Sequence, residues 1–414
     1  MLGRMRTFSA VLTAVAVVTT GCGGASTGPP VSAPTHTAHP VRISFHVQHE
    51  LAAADSAFAE ALWAKLATRD GNVVLSPASI ATALQMAYVG ARGDTAAEMA
   101  RTLHLGSDAT TADLAAAAGG LLNQVDAGSS KDSLLQLADA VWVQRNYPVA
   151  PGFRAAMADD FGSVFHLADF AEHGEEARKA INAAIAGLTH DRIHDLLPPG
   201  ADLTDTRLLL ANTIYLKAAW ESAFETGLTA PAPFTRSDGK VVRPKTMNAT
   251  ETFDYAATDD YQAVRLPYKG HRLAMTLLLP AHGRPLTWPA GLKFTAQTVD
   301  LALPKFTFSW DAELTGLLIE LGMSTAFTDV ADFSGISSES LHIGTVQHKA
   351  FIAVDENGTE AAAATAVGIV AGAAPAPTSM ARLHFDRPFL FRIDDTVTGL
   401  PLFLGKVEDP TLGA

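Results

Sequence analysis

Apolar residues recur at helical spacing through ELAAADSAFAEALWAKLATR, where Leu51, Ala54, Phe58, Leu62 and Leu66 fall on one stripe. The DGN that follows breaks the pattern, and VVLS reads as a short buried strand. Ser76 and Pro77 open the next helix, Ser76 as N-cap and Pro77 at the first helical position, where a missing N–H costs no hydrogen bond. That helix runs to Gly90, and another is predicted from Asp94 to about Leu103. A weaker one covers TADLAAAAGGLLNQV. From there β character grows. SLLQLADAVWVQ alternates, TRLLLANTIYLKAAW is a long apolar strand, and AVRLPYKGHRLAMTLLLP is a hairpin around Lys269-Gly270. VDLALPKFTFSWDAELTGLLIELGM passes from strand to helix, and SLHIGTVQHKAFIAVD, RLHFDRPFLFRIDD and LPLFLGKVEDP are strands again. With no internal repeat and no linker-like gap between Glu50 and Pro410, the pattern predicts one α+β domain, helices first and then large, mostly antiparallel sheets.

Ahead of this domain the text is of another kind. Arg4 and Arg6 precede an apolar stretch to Val18, and small residues lead to Cys22, which is the layout of a secretory signal. The apolar stretch is short for a membrane span. A cysteine after TTG resembles a bacterial lipoprotein box, although Thr19 stands where such boxes carry an aliphatic residue. The expectation is a signal peptide over 1–21 and a lipidated Cys22. The chain would then be exported and anchored by lipid to the outer face of the cell membrane, or else secreted. Cys22 is the single cysteine, so no intrachain disulfide can form. Residues 22–44 are rich in Gly, Ser, Pro and Thr and read as a flexible tether. His36, His39, His46 and His49 read as solvated linker residues, because HVQHE matches no zinc-protease spacing.

Net charge is −13, which disfavours a nucleic-acid partner. No G-x-S-x-G, G-x-x-x-x-G-K-[ST] or G-x-G-x-x-G lies between a strand and a helix. His190 and His194 have metal-pair spacing if their segment is helical, but no third ligand is near in sequence. His348, in an apolar strand, reads as a satisfied core histidine. Nothing here builds an enzyme, and neither a metal nor a cofactor is expected.

One stretch remains unexplained: DENGTEAAAATAVGIVAGAAPAP, residues 355–377. Read as extended chain from Thr359, one face carries Thr359, Ala361, Ala363, Thr365, Val367, Ile369 and Ala371, all uncharged. The other carries Glu360, Ala362, Ala364, Ala366, Gly368, Val370 and Gly372, with Glu360 the only charge. Gly358 gives the turn at Glu356-Asn357-Gly358 the backbone freedom of a hinge. The segment can fold back antiparallel onto HIGTVQHKAFIAVD and join its sheet. It can equally stay outside as a loop, or form an Ala-rich helix.

The order of motifs resembles the serpin family from about Glu50 to Pro410. NVVLSPASIATALQMAYVGARGDTAAEM is similar to its second helix and the preceding strand, and LLLANTIYLKAAWESAFE to its N-x-[IVL]-[YF]-[FL]-K-x-x-W strand. LPKFTF, HKAFIAVDENGTEAAAATAV and DRPFLFRIDDTVTGLPLFLGKVEDP follow in the family's order. The resemblance implies a serpin fold over 45–414 with an exposed reactive-centre loop at about 356–381. It implies an inhibitor that acts as a suicide substrate and is not itself an enzyme. A serine protease cleaves the loop, forms an acyl-enzyme, and is trapped as the loop enters the main sheet. The hinge of that loop would comprise Glu356, Gly358, Thr359, Glu360, Ala361, Ala362, Ala363, Ala364 and Thr365.

Counted from Glu356 in the family's manner, the scissile bond falls at Gly372-Ala373. The stretch from Ala373 to Pro388 is longer than the family's usual pattern, so Val370-Ala371, Ala371-Gly372 and Met380-Ala381 stay open as alternatives. Small apolar residues there suit an elastase-like or subtilisin-like protease better than a trypsin-like one. Ser76, Ser79, Asn212 and His348 match the family's polar cluster beneath the sheet. Trp220 matches the aromatic where insertion starts, and Lys305 with Glu356 matches a hinge ion pair. The implied partner is a serine protease in covalent complex with a monomer, with the membrane engaged only through the N-terminal lipid. A non-inhibitory binding or carrier protein on the same fold is the alternative.

Overall fold

The computed structural model describes residues 45–412 apart from 107–109, 128–132, 290 and 361–379. In chain order the elements are α1 (Phe45–Leu66), β1 (Val73–Leu75), α2 (Pro77–Gly90), α3 (Gly93–Thr102), α4 (Thr111–Ala127), β2 (Ser133–Gln144), α5 (Pro151–Asp159), β3 (Val164–Ala168), α6 (Gly174–Leu188) and β4 (Leu208–Ala219). Then come β5 (Ala230–Pro231), β6 (Phe234–Thr235), β7 (Val241–Val242), β8 (Lys245–Ala257), β9 (Tyr261–Pro267), β10 (Leu273–Pro280), β11 (Thr295–Pro304) and β12 (Phe306–Glu313). The chain closes with α7 (Thr315–Glu320), β13 (Gln347–Asp355), β14 (Gly358–Thr359), β15 (Ala381–His384), β16 (Phe389–Asp395) and β17 (Pro401–Val407).

Four features depart from the sequence pattern. Helix α1 starts before Glu50, because Val47 packs against the core one turn ahead of Leu51, so His46 and His49 lie on a helix and not in a linker. Helices α5 and α6 interrupt a region that reads as turning to β. Strand β13 starts at Gln347, and residues 340–346 are not strand. The segment around His190 and His194 is a turn with positive φ at His190, Asp191 and Asp195, so the two histidines share no helix face.

A nine-stranded sheet runs β1-β17-β16-β10-β9-β8-β11-β15, with β5 beside β8. A six-stranded sheet runs β12-β13-β14-β4-β2-β3. The continuous apolar run before α7 splits at Lys305: β11 ends in the first sheet at Pro304, and β12 begins in the second at Phe306. The sheets share one apolar core that includes Leu216, Ile352, Val354, Phe391, Ile393 and Phe403. Helices α1 to α3 build a second cluster, with Phe58, Leu62, Leu84 and Met99 at its centre. On the other face of the six-stranded sheet, Ile181 and Ile185 of α6 pack with Trp142 of β2, with Leu209 and Phe351 alongside.

A buried carboxyl joins the first two helices. Asp55 accepts a hydrogen bond from Gln85 Nε2 at 2.7 Å, and burial pushes its pKa up to about 7 against that hydrogen bond. The folded chain therefore holds a proton that the unfolded chain releases, and Asp55 costs stability as pH rises from about 4 to about 7. Asp55→Asn is expected to raise the urea midpoint at pH 8, with the gain gone by pH 4. A gain that is equal at both pH values would mean that Asp55 does not titrate this way.

Candidate functional site

Gly358 and Thr359 form a strand of two residues that pairs on both sides. Val354 and Asp355 of β13 face Thr359 and Gly358, and Ala218 and Ala219 of β4 face Thr359 and Gly358, antiparallel in both cases. Strands β4 and β13 are thus separated by the first residues of the segment whose alternation suits it to joining a sheet. Gly358 has φ +148°, and a Cβ there would lie 2.0 Å from the Ala218 carbonyl oxygen, so the close approach of three backbones requires glycine. Thr359 is buried on the core side, where its Oγ1 and the Tyr268 hydroxyl are 2.5 Å apart. Glu360 then turns away with φ 49°, its N–H donating to the Ala353 carbonyl at 2.9 Å. The apolar side chains of Leu216, Ile352, Ile393 and Phe403 close around Thr359 and Glu360, leaving a crevice too narrow for a water molecule.

The turn before this strand is held by residues 220–229. The Trp220 N–H donates to the Asn357 carbonyl at 2.9 Å, its Nε1 donates to the Asp355 carbonyl at 3.0 Å, and the Phe224 N–H donates to the Glu356 carbonyl at 2.9 Å. The Trp220 ring is buried and stacks on Tyr268 at 4.5 Å. Lys305 Nζ sits 2.6 Å from Glu356 Oε2, while Thr229 Oγ1 donates to Oε1 at 2.9 Å. Burial pushes the Glu356 carboxyl up, but Lys305 and the hydrogen bonds outweigh it and hold the group below its ordinary range. The lysine reaches Glu356 because it stands at the corner where the chain crosses from one sheet to the other.

Below, helix α2 points its N-terminus at β13. Ser76 caps the helix by accepting from the Ser79 N–H at 3.2 Å, and the Ser76 N–H donates to His348 Nε2 at 3.2 Å. All three residues are buried. Burial pulls the His348 pKa down to about 4, so the ring is neutral and Nε2 is free to accept. Here the sign is opposite to that of Asp55. The unfolded chain takes up a proton near pH 6.5 that the folded chain refuses until about pH 4, so stability falls on acidification across that window. In Asp55→Asn, where the compensating carboxyl is absent, the urea midpoint should therefore fall more steeply from pH 7 to pH 4 than in the parent chain. Asn212 lies in β4 opposite Asp139 of β2; its side chain lies outside the described structure.

A further contact stands at the exit of the hinge, with no sign in the local sequence pattern. Arg192, in the turn after α6, pairs with the Glu360 carboxylate and also lies over the Phe351 ring at 5.5 Å. Burial and the neighbouring Glu360 push the Tyr215 phenol up to about 12, and His190 packs on the Tyr215 ring at 4.6 Å. The connection after α6 is thereby fastened to Glu360, the residue directly after β14. Arg192→Ala is expected to speed hydrogen exchange at the Glu360 amide by about five-fold, the equivalent of a partly exposed ion pair of ~1 kcal/mol. Unchanged exchange would show that the pair does not hold the hinge.

Ala361, Ala362, Ala363, Ala364, Thr365, Val370, Ala371, Gly372 and Ala373 lie outside the described residues, as do Cys22 and the rest of 1–44. Met380 is exposed just before β15, which pairs in parallel with β11 from Val299↔Ala381 to Ala302↔His384. The described chain thus stops at Glu360, next to β14 in the six-stranded sheet, and resumes at Met380, ahead of β15 in the nine-stranded sheet.

The family model for serpins (serine protease inhibitors) matches residues 53–410. A serpin-like protein of Thermococcus kodakarensis is 38% identical over 365 residues, covering 85% of this chain and 84% of that one. The leukocyte elastase inhibitor of Sus scrofa is 33% identical over 385 residues, 87% of this chain and 100% of its own. Among solved structures, the thermophilic serpin tengpin in its native state aligns with a TM-score of 0.77 at 27% identity, over 90% of this chain and 97% of that one. The chain belongs to the serpin family.

Proposed function

We propose that this serpin inhibits serine proteases by inserting its cleaved loop into the six-stranded sheet. The observation that carries the reading is β14: Gly358 and Thr359 already stand between β4 and β13, paired to both. Continuing the same alternation would turn Ala361, Ala363 and Thr365 toward the same apolar core as Thr359, and small uncharged side chains suit a strand that must enter where β4 and β13 leave little room. Thr359 to Gly372 is 14 residues, roughly 45 Å of extended chain. A dozen new ladder hydrogen bonds at ~1 kcal/mol each would drive insertion far beyond the few kcal/mol between ordinary conformers.

In this mechanism the protease attacks the carbonyl of Gly372, or of a residue close by, and forms an acyl-enzyme. Cleavage frees the hinge side of the loop, which zips into the sheet and carries the bound protease away from the loop's original position before water can release it. Small residues at the cleavage site suit an elastase-like or subtilisin-like enzyme, and the likeness to an elastase inhibitor points the same way. The mechanism asks for no metal or cofactor, and a monomer suffices. Cys22 and the residues before it support export and lipid anchoring, which would place the inhibitor at the outer face of the membrane.

Mixing the protein with pancreatic elastase, subtilisin, chymotrypsin and trypsin tests this. The expected result is an SDS-resistant complex with one of the first two, and a C-terminal fragment whose mass places the cut within two residues of Gly372. Cleavage by all without a stable complex would contradict the inhibitory reading.

A further inference from the structure

The residues that hold the hinge are also the wall of a cleft. Trp220, Phe224, Phe253 and Leu266 line it, together with the exposed Glu221 and Glu251. Its volume of about 180 Å³ is below the span of drug-sized sites and admits a small, fragment-sized ligand. No lysine or arginine lines it. Glu221 has His271 at 3.6 Å, whereas the Glu251 carboxylate has no ion-pair or hydrogen-bond partner among the described residues. A neutral apolar ligand would leave those carboxylates unused, and an anion would be repelled by them. The fitting ligand carries positive charge on an apolar body.

We propose that this cleft binds a small molecule bearing an ammonium or guanidinium group on an apolar stem, and that its occupancy holds the hinge in its present place. The coupling follows from three hydrogen bonds. Trp220 and Phe224 donate to the carbonyls of Asp355, Glu356 and Asn357, so the wall that a ligand would brace is the wall that fixes the turn ahead of Gly358. A ligand that packs on Trp220 and Phe224 in this arrangement favours it over one in which the turn has moved, and by linkage slows any step that must displace Thr359 from its place between β4 and β13, entry of a competing strand included. The coupling rests on the loop-insertion reading; the binding does not.

Isothermal titration of the full chain with phenethylamine, beside neutral 2-phenylethanol, tests the binding. The amine is expected to bind with Kd of about 1 mM or tighter, and the alcohol about five-fold more weakly. Glu251→Gln should bring the amine close to the alcohol, and Thr252→Trp, at an exposed position of the lining, should block both. Equal affinity for amine and alcohol, no saturable heat with the amine, or indifference to both variants would overturn the site. Coupling is read from the rate at which a synthetic peptide of sequence 359–372 enters the sheet, followed by native-gel shift. At ten times Kd the amine should slow entry about ten-fold. An unchanged rate overturns the coupling while the titration stands. A peptide that does not enter even without amine contradicts loop insertion itself, and the coupling falls with it.

Discussion

Under the proposed insertion mechanism, Thr359→Arg is expected to turn the protein from an inhibitor into a substrate. Thr359 is buried between two strands, with its hydroxyl against Tyr268. An arginine there must either bury its charge among the apolar side chains around Thr359 or keep the strand from closing. In the proposed mechanism trapping is a race between insertion and hydrolysis of the acyl-enzyme, and each 1.4 kcal/mol added to the insertion barrier slows insertion about ten-fold. Several kcal/mol of desolvation should therefore lift the amount of inhibitor consumed per protease from about one to more than about ten. Thr359→Ser, which keeps the hydroxyl, should stay near the parent value. An arginine variant that traps protease with unchanged stoichiometry would mean that Thr359 does not enter the sheet during inhibition.

Trp220→Ala should be the most destabilising single change at the site, by about 3–5 kcal/mol. The indole is buried, stacks on Tyr268 and donates to the Asp355 carbonyl. Its removal leaves a cavity beside the hinge and an acceptor without its donor. Trp220→Phe keeps most of the packing and loses the hydrogen bond, so a cost of about 1–2 kcal/mol is expected. Urea midpoints at pH 8 measure both. Equal costs for the two variants would place the contribution in the hydrogen bond rather than in the packing.

Short-range pattern accounts for much of the fold. The stripe Leu51–Leu66, the Ser76-Pro77 cap and the alternating strands are local features, and the structure has helices and strands there. Helix α6 is legible only on a finer reading, in the spacing of Ala177, Ile181, Ala184 and Ile185 with Glu175 and Glu176 in its first turn, set within a stretch that otherwise turns to β. The site divides along the same line. The alternation from Thr359 onward marks a segment able to join a sheet, whereas its two neighbours are a matter of topology, since β4 and β13 lie far apart in sequence. Lys305 and Glu356 are reached through the family resemblance, because local pattern does not join residues 51 positions apart. Arg192 escapes both routes: it acts from an irregular turn, where no periodicity shows which way a side chain faces.

Loop insertion is tested most directly by the thermal stability of nicked protein. Limited proteolysis with thermolysin, which is not a serine protease, should cut within 361–379 without being trapped. If the freed segment enters between β4 and β13, the melting temperature should rise by about 10–20 °C, as a dozen added hydrogen bonds would require. A nicked protein that melts at or below the temperature of the intact chain would contradict insertion, and with it the proposed inhibitory mechanism.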